Sequence, residues 1–160
     1  MNNFKRIMNG LYKGLVAIQA LLLVALLSMV TLQIATRIIP FFPYVMWTEE
    51  ISRFLLVWVV FLGASIGVKE VTHFTVSLLP EPKSAVVAGI WEMFIQICMI
   101  AFAIIFTYRG FKYAKVMIWD ISDIAQISMI WVGAAIPVFG ILSLLFLVET
   151  MITRFSKERV

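Results

Sequence analysis

A chain of 160 residues that is 62% hydrophobic and 14% charged, with a mean hydropathy of +1.02, is no soluble globular domain. Its net charge of +4 is not a nucleic-acid signature, because the basic residues flank hydrophobic runs, where they act as topology determinants. The single cysteine, Cys98, sits inside an apolar run and excludes an internal disulfide or a cysteine metal cluster. Residues 14–36 and 124–148 carry no charge, and the shorter uncharged runs 54–68 and 93–108 each extend at one end. A spanning helix needs roughly 20 apolar residues. The expected fold is therefore an all-α membrane protein of four transmembrane helices with short connections. The spans fall at about 15–37, 48–69, 84–108 and 124–149, and they leave no room for a separate soluble domain.

The first run follows Lys5, Arg6 and Lys13, as a signal peptide would. It is longer than the usual signal core and no convincing cleavage site follows, so a retained helix is expected. Gln19, Ser28, Thr31 and Gln33 interrupt its apolar surface and suit helix packing better than substrate binding. Pro40 and Pro43 end it, since each lacks a backbone donor and disfavours a helical residue before it. Phe41, Phe42, Tyr44 and Trp47 read as an interfacial aromatic belt.

The second helix is expected to start with Thr48 as its N-cap. Glu49 and Glu50 then occupy the first turn, where the helix dipole favours anions. Residues 71–79 alternate loosely and fit a short amphipathic segment in the interface, closed by Pro80 and Pro82. After the third helix, Arg109, Lys112 and Lys115 recur three apart with aromatics between them, as either a helical extension or a surface segment. The fourth helix contains Gly133, Pro137 and Gly140, and the proline should kink it. Four spans put both termini on one side. With the termini inside, the inner segments hold eight basic residues (Lys5, Arg6, Lys13, Lys69, Lys83, Arg154, Lys157, Arg159) against four outside (Arg37, Arg109, Lys112, Lys115). That bias favours cytoplasmic termini.

At about 100° per residue, Glu49, Arg53, Leu56, Val60, Gly63 and Gly67 share one narrow stripe of the second helix. Gly63 to Gly67 is a small-xxx-small pattern that lets another backbone approach. Glu49 and Arg53, four apart, can pair and lower the cost of burial. The stripe is either an internal salt bridge with a packed glycine face or a face that docks a second membrane protein. Glu92, near the start of the third helix, fits snorkelling to the headgroups better than a proton or cation site. Asp120 and Asp123 fall in the outer connection and should be solvated.

Catalysis is not expected. His73 is the only histidine, too little for paired haem ligation or for a zinc site. A nucleophile triad or phosphate loop finds no supporting context. Transporter cores show repeated halves and interrupted helices, and four simple spans show neither.

Trp47-Thr48-Glu49-Glu50-Ile51-Ser52-Arg53, then Val57-Trp58, Phe61-Leu62-Gly63-Ala64-Ser65, Lys69 and His73-Phe74-Thr75-Val76, together resemble the signature of the small membrane subunit of tripartite ATP-independent periplasmic (TRAP) transporters. This is the Q, or DctQ-like, subunit. The resemblance implies a multi-pass protein of the bacterial inner membrane that scaffolds a large many-span M subunit. A periplasmic binding protein would deliver a small organic anion, such as a C4-dicarboxylate or a sialic acid. Sodium would bind the M subunit, with no cofactor in this chain. Carried over by position, Trp47, Glu49, Glu50 and Arg53 would form the outer part of the subunit contact. Gly63, Ala64 and Gly67 would form its close-packed part, and His73 its inner end. The rival readings are stand-alone four-helix proteins. A small efflux transporter would want a glutamate in the first span, which has none, and a redox-enzyme anchor would want more than one histidine.

Overall fold

In the computed structural model, residues 2–39, 46–74 and 85–157 are described, and of these the side chains of 6–39, 46–70, 89–91 and 93–152. Five helices follow one another: α1 (Asn2–Ile38), α2 (Trp47–Phe74), α3 (Ala85–Val116), α4 (Ile130–Gly133) and α5 (Ala135–Lys157). Four stretches among the described residues are long and apolar enough to cross a membrane: Arg6–Ile38, Trp47–Glu70, Gly89–Val116 and Ile130–Ile152. The fold is thus all-α with four candidate spans, as the hydrophobic runs require.

The helices overrun the apolar runs that mark them. α1 has 37 residues, about 55 Å at 1.5 Å per residue, against a hydrocarbon core of roughly 30 Å. Its first turns carry Arg6 and Lys13 beyond the apolar stretch without breaking the helix, since both are good helix formers. α2 starts at Trp47, so Thr48, the expected N-cap, lies inside the first turn and is fully buried, two residues past the cap position at Met46. Residues 71–74 continue α2 as helix, whereas 75–79 of the expected amphipathic segment lie outside the described residues. α3 runs on to Val116, which makes the Arg109–Lys115 segment a helical extension.

The fourth span departs most from expectation. Helix begins at Ile130, not near 124. The residues before it form a tight loop in which Ile121 and Ser128 bridge antiparallel, the Ser122 N–H donates to the Ile127 carbonyl (2.9 Å) and the Met129 N–H to the Asp120 carbonyl (2.9 Å). Gln126 turns that loop with φ of 53°. Apolar residues here belong to a turn whose backbone groups find partners across the loop and on α2. Between α4 and α5 the helix is interrupted at Ala134. Pro137 explains the break, because it has no N–H to give to the Gly133 carbonyl four residues back.

In space the order is α1, α2, α5, α3. α1 packs on α2, α2 on α5 and α5 on α3, while α2 and α3, consecutive in sequence, make no contact among the described residues. Met8, Leu15, Leu62 and Phe146 form one buried cluster where α1, α2 and α5 meet. Phe139 links the other layers, with ring centroids 5.7 Å from Phe61 on α2 and 5.6 Å from Phe106 on α3. The central helix is therefore α5, and the flanks of α1 and α3 stay open.

Candidate functional site

The N-terminal end of α2 separates its two adjacent carboxylates. Glu49 accepts a hydrogen bond from Arg53 one turn on, and the Arg37 guanidinium at the end of α1 lies 4.0 Å away. This half-exposed group faces away from the bundle. Glu50 instead turns inward, and its Oε2 accepts the Ala125 N–H at 2.6 Å across 75 residues of sequence. One carboxylate thus remains at the surface while the other pins the 121–128 loop to α2. Trp58 makes a second tie about two turns deeper: its indole N–H donates to the Trp131 carbonyl on α4 at 2.9 Å. Trp47 stands exposed at this end, and Asp120 and Asp123 are exposed on the loop.

The glycine stripe is divided between two environments. Gln19 of α1 reaches into α2 and donates through Nε2 to the Val59 carbonyl at 2.9 Å. A Cβ on Gly63 would lie 3.1 Å from that nitrogen. Gly63 is thus spent on the chain's own α1, where it makes room for an amide to reach a backbone carbonyl inside the apolar zone. Gly67 has open space where its Cβ would stand. Ala64, Leu56 and Val60 are also exposed. The outward part of the stripe is therefore Arg53, Leu56, Val60, Ala64 and Gly67.

The opposite end of the bundle holds a cluster that residue-by-residue reading missed. Lys69 Nζ lies 3.3 Å from Glu149 Oε2, with side chains only 11% and 13% exposed. It also donates to the Met8 carbonyl and to Asn9 Oδ1, both at 3.4 Å. Its ammonium sits 4.9 Å from the Tyr12 ring and 5.1 Å from the Phe146 ring, as a cation over aromatic faces. The Tyr12 hydroxyl donates to Glu70 at 2.6 Å. α1, α2 and α5 are clamped together here. Opposite charges ending the second and fourth runs were the available signal. The backbone of His73 ends α2 nearby in sequence, but its side chain and that of Glu92 lie outside the described ones.

Three further glycines close the α3–α5 seam. A Cβ on Gly110 would fall 2.8 Å from the Pro137 nitrogen, and one on Gly140 2.8 Å from the Thr107 nitrogen. One on Gly133 would fall 3.1 Å from the Ala114 Cα. Gly133 and Gly140 are seven apart, two helical turns, and so face one side. Beside this seam an open groove of about 460 Å³ runs between α2 and α3 over α5, lined by Val68, Phe94, Met99, Phe102, Phe139 and Ser143 among others. Its described lining is apolar apart from the Ser143 hydroxyl and the sulfurs of Cys98 and Met99, and includes no cation. It does not suit a carboxylate solute, which requires charged or hydrogen-bonding partners when desolvated.

Comparison with known proteins agrees with this architecture. The family model described as "Tripartite ATP-independent periplasmic transporters, DctQ component" matches residues 26–157. The sialic acid TRAP transporter permease protein SiaT of Haemophilus influenzae (strain 86-028NP) is 25% identical over 135 residues, which are 84% of this chain and 22% of that protein. The small permease protein SiaQ of Vibrio cholerae serotype O1 is 27% identical over 122 residues, covering 75% of this chain and 69% of the relative. A putative TRAP transporter small permease protein of Haemophilus influenzae Rd is 40% identical over 55 residues, 32% of this chain and 34% of its own length. The chain thus spans about a fifth of SiaT and about two thirds of SiaQ. With the family match running from within α1 to the end of α5, the chain belongs to the DctQ component of the tripartite ATP-independent periplasmic transporters.

Proposed function

We propose that this chain is the static small subunit of a sodium-coupled importer of organic anions, and that its outward α2 stripe docks the large M subunit. The observation carrying this reading is the open half of that stripe. Ala64 and Gly67 are small, outward-facing and unused by the chain's own fold, which is how membrane helices prepare a close contact with another helix. Arg53 and Trp47 continue the same region at its outer end. The match to SiaT supports a large partner, since the segment equivalent to this chain is 22% of that polypeptide. The partner, not this chain, would carry the solute and sodium sites, and a periplasmic binding protein would deliver the solute. Two relatives carry sialic acid in their names, which makes sialic acid the first solute to test, ahead of C4-dicarboxylates.

Co-expression with the large permease subunit and affinity purification test the docking. Gly67→Leu adds bulk where this chain has space, so it should insert normally and yet reduce recovery of the large subunit, through overpacking of about 1–3 kcal/mol. Arg53→Glu, which gathers three acidic groups within one turn, should do the same. Normal recovery with both would move the docking face elsewhere. Proteoliposomes holding both subunits, supplied with binding protein and a sodium gradient, should accumulate the solute. Gradient-driven uptake by this chain alone would reject the scaffold role.

A further inference from the structure

We propose that the outward face of α3 is a binding site for an anionic phospholipid, whose phosphate is held by Arg109, Lys112 and Lys115. All three cations are exposed. Lys112 lies about 200° round the helix from Gly110, the residue pressed against Pro137 of α5. Arg109 and Lys112 therefore point away from the bundle, while Lys115 stands at the rim of a groove that α3 forms with α4 and α5. None of them has a carboxylate within 4.0 Å among the described residues. Lys112 instead lies over the Tyr108 ring, 4.6 Å from its centroid.

The same face continues into the apolar zone as an unbroken stripe at helical spacing: Ile97, Ala101, Ile105, Tyr108, Lys112. Ile97, Ile105 and Tyr108 are each more than half exposed. From Tyr108 to Ile97 the helix rises about 16 Å, half of the roughly 30 Å hydrocarbon core and so the depth of one leaflet. A phosphate at the cations would thus have its acyl chains along the isoleucines. The stripe is bulky apart from Ala101, whereas contacts between membrane helices favour small residues. That contrast assigns α3 to lipid and leaves the open small residues of α2 to protein. The charge is complementary. Three cations at the end of the bundle with fewer basic residues oppose the topology bias, and a bound phosphate offsets them. Each cation near an anionic surface strengthens attraction by roughly fivefold.

The test uses the full-length chain in nanodiscs of mixed phosphatidylcholine and phosphatidylglycerol. Native mass spectrometry after partial delipidation should show phosphatidylglycerol retained at least about tenfold over phosphatidylcholine. A photoactivatable phosphatidylglycerol should label peptides within residues 97–116. The triple variant Arg109→Gln/Lys112→Gln/Lys115→Gln should bring retention toward parity and lose that label, while Arg109→Lys keeps both. Raising salt on the wild-type chain should weaken the preference, since these charges are exposed to screening. The proposal is overturned if the wild-type chain shows no preference, if labelling falls on α1 or α2, or if the triple variant retains the wild-type preference. It is overturned equally if the triple variant loses only the large permease subunit on co-purification, which would make the occupant an acidic protein surface.

Discussion

Glu49 and Glu50 are neighbours in sequence and have identical side chains, yet they do different things. The 100° turn between successive helical residues aims one at Arg53 and the other at the Ala125 amide. Lys69 shows the same dependence on direction. Sequence reading places it among the basic residues that flank spans, but the fold draws it inward to Glu149 and the aromatic faces of Tyr12 and Phe146. Removing one partner of such a pair strands the other charge. Lys69→Met is therefore expected to destabilise the chain by about 3–5 kcal/mol, while Lys69→Met/Glu149→Leu together should recover most of that loss. Unfolding curves in mild detergent for the two single variants and the double variant give the coupling directly. A double variant as unstable as the singles would mean that the pair is not what holds this end.

At the scale of elements, glycine decides which helices touch. α3 and α5 approach so closely that side chains at Gly110 and Gly140 would meet backbone. Dispersion at short range and the exclusion of lipid, not a hydrophobic drive, hold such seams together. Gly140→Leu should cost at least about 1–3 kcal/mol by overpacking. Gly67→Leu, facing open space, should leave the stability of the isolated chain within about 0.5 kcal/mol. Thermal melts of the two variants without the partner subunit distinguish the seam from the free face. Equal melts would show that α3 and α5 can separate at little cost. The break at Ala134 belongs to the same seam, because Pro137 both interrupts the ladder and fills the space beside Gly110.

For the whole molecule, the contacts define two ends. Arg37, Glu49, Glu50 and the 121–128 loop meet at one, and Met8, Asn9, Lys69 and Glu149 at the other. The chain segments leading to the two termini thus lie at the same end, as four crossings require. Which side of the membrane that end faces follows from charge. The excess of eight basic residues over four leads us to expect it in the cytoplasm. A phosphatase reporter fused after Arg37 should be active in the periplasm and one fused after Arg159 inactive. An inactive fusion at Arg37 would reverse the orientation. The open row of helices also bears on function: among the described residues, the row α1–α2–α5–α3 leaves two broad flanks for lipid and partner.

The number and class of the spans were legible in the sequence, because hydrocarbon solvation acts on each run independently of its neighbours. The Glu49–Arg53 pair and the proline break were legible too, since both are local consequences of helical geometry. The motif on α2 was sufficient to suggest the family. Helix ends were less legible: charged residues such as Arg6 and Lys115 stay helical beyond the apolar runs, and apolar residues such as Ile124 and Ile127 fall in a turn held by its own backbone and by Glu50. Division of the glycines was not legible at all. Gly63 and Gly67 look alike in sequence, and only the arrival of Gln19 from α1 makes the first internal and leaves the second free. Composition and periodicity fix what each segment must do with respect to the bilayer. Which segment neighbours which depends on long-range packing among helices that are all equally content in lipid, and that choice is made only in the tertiary structure.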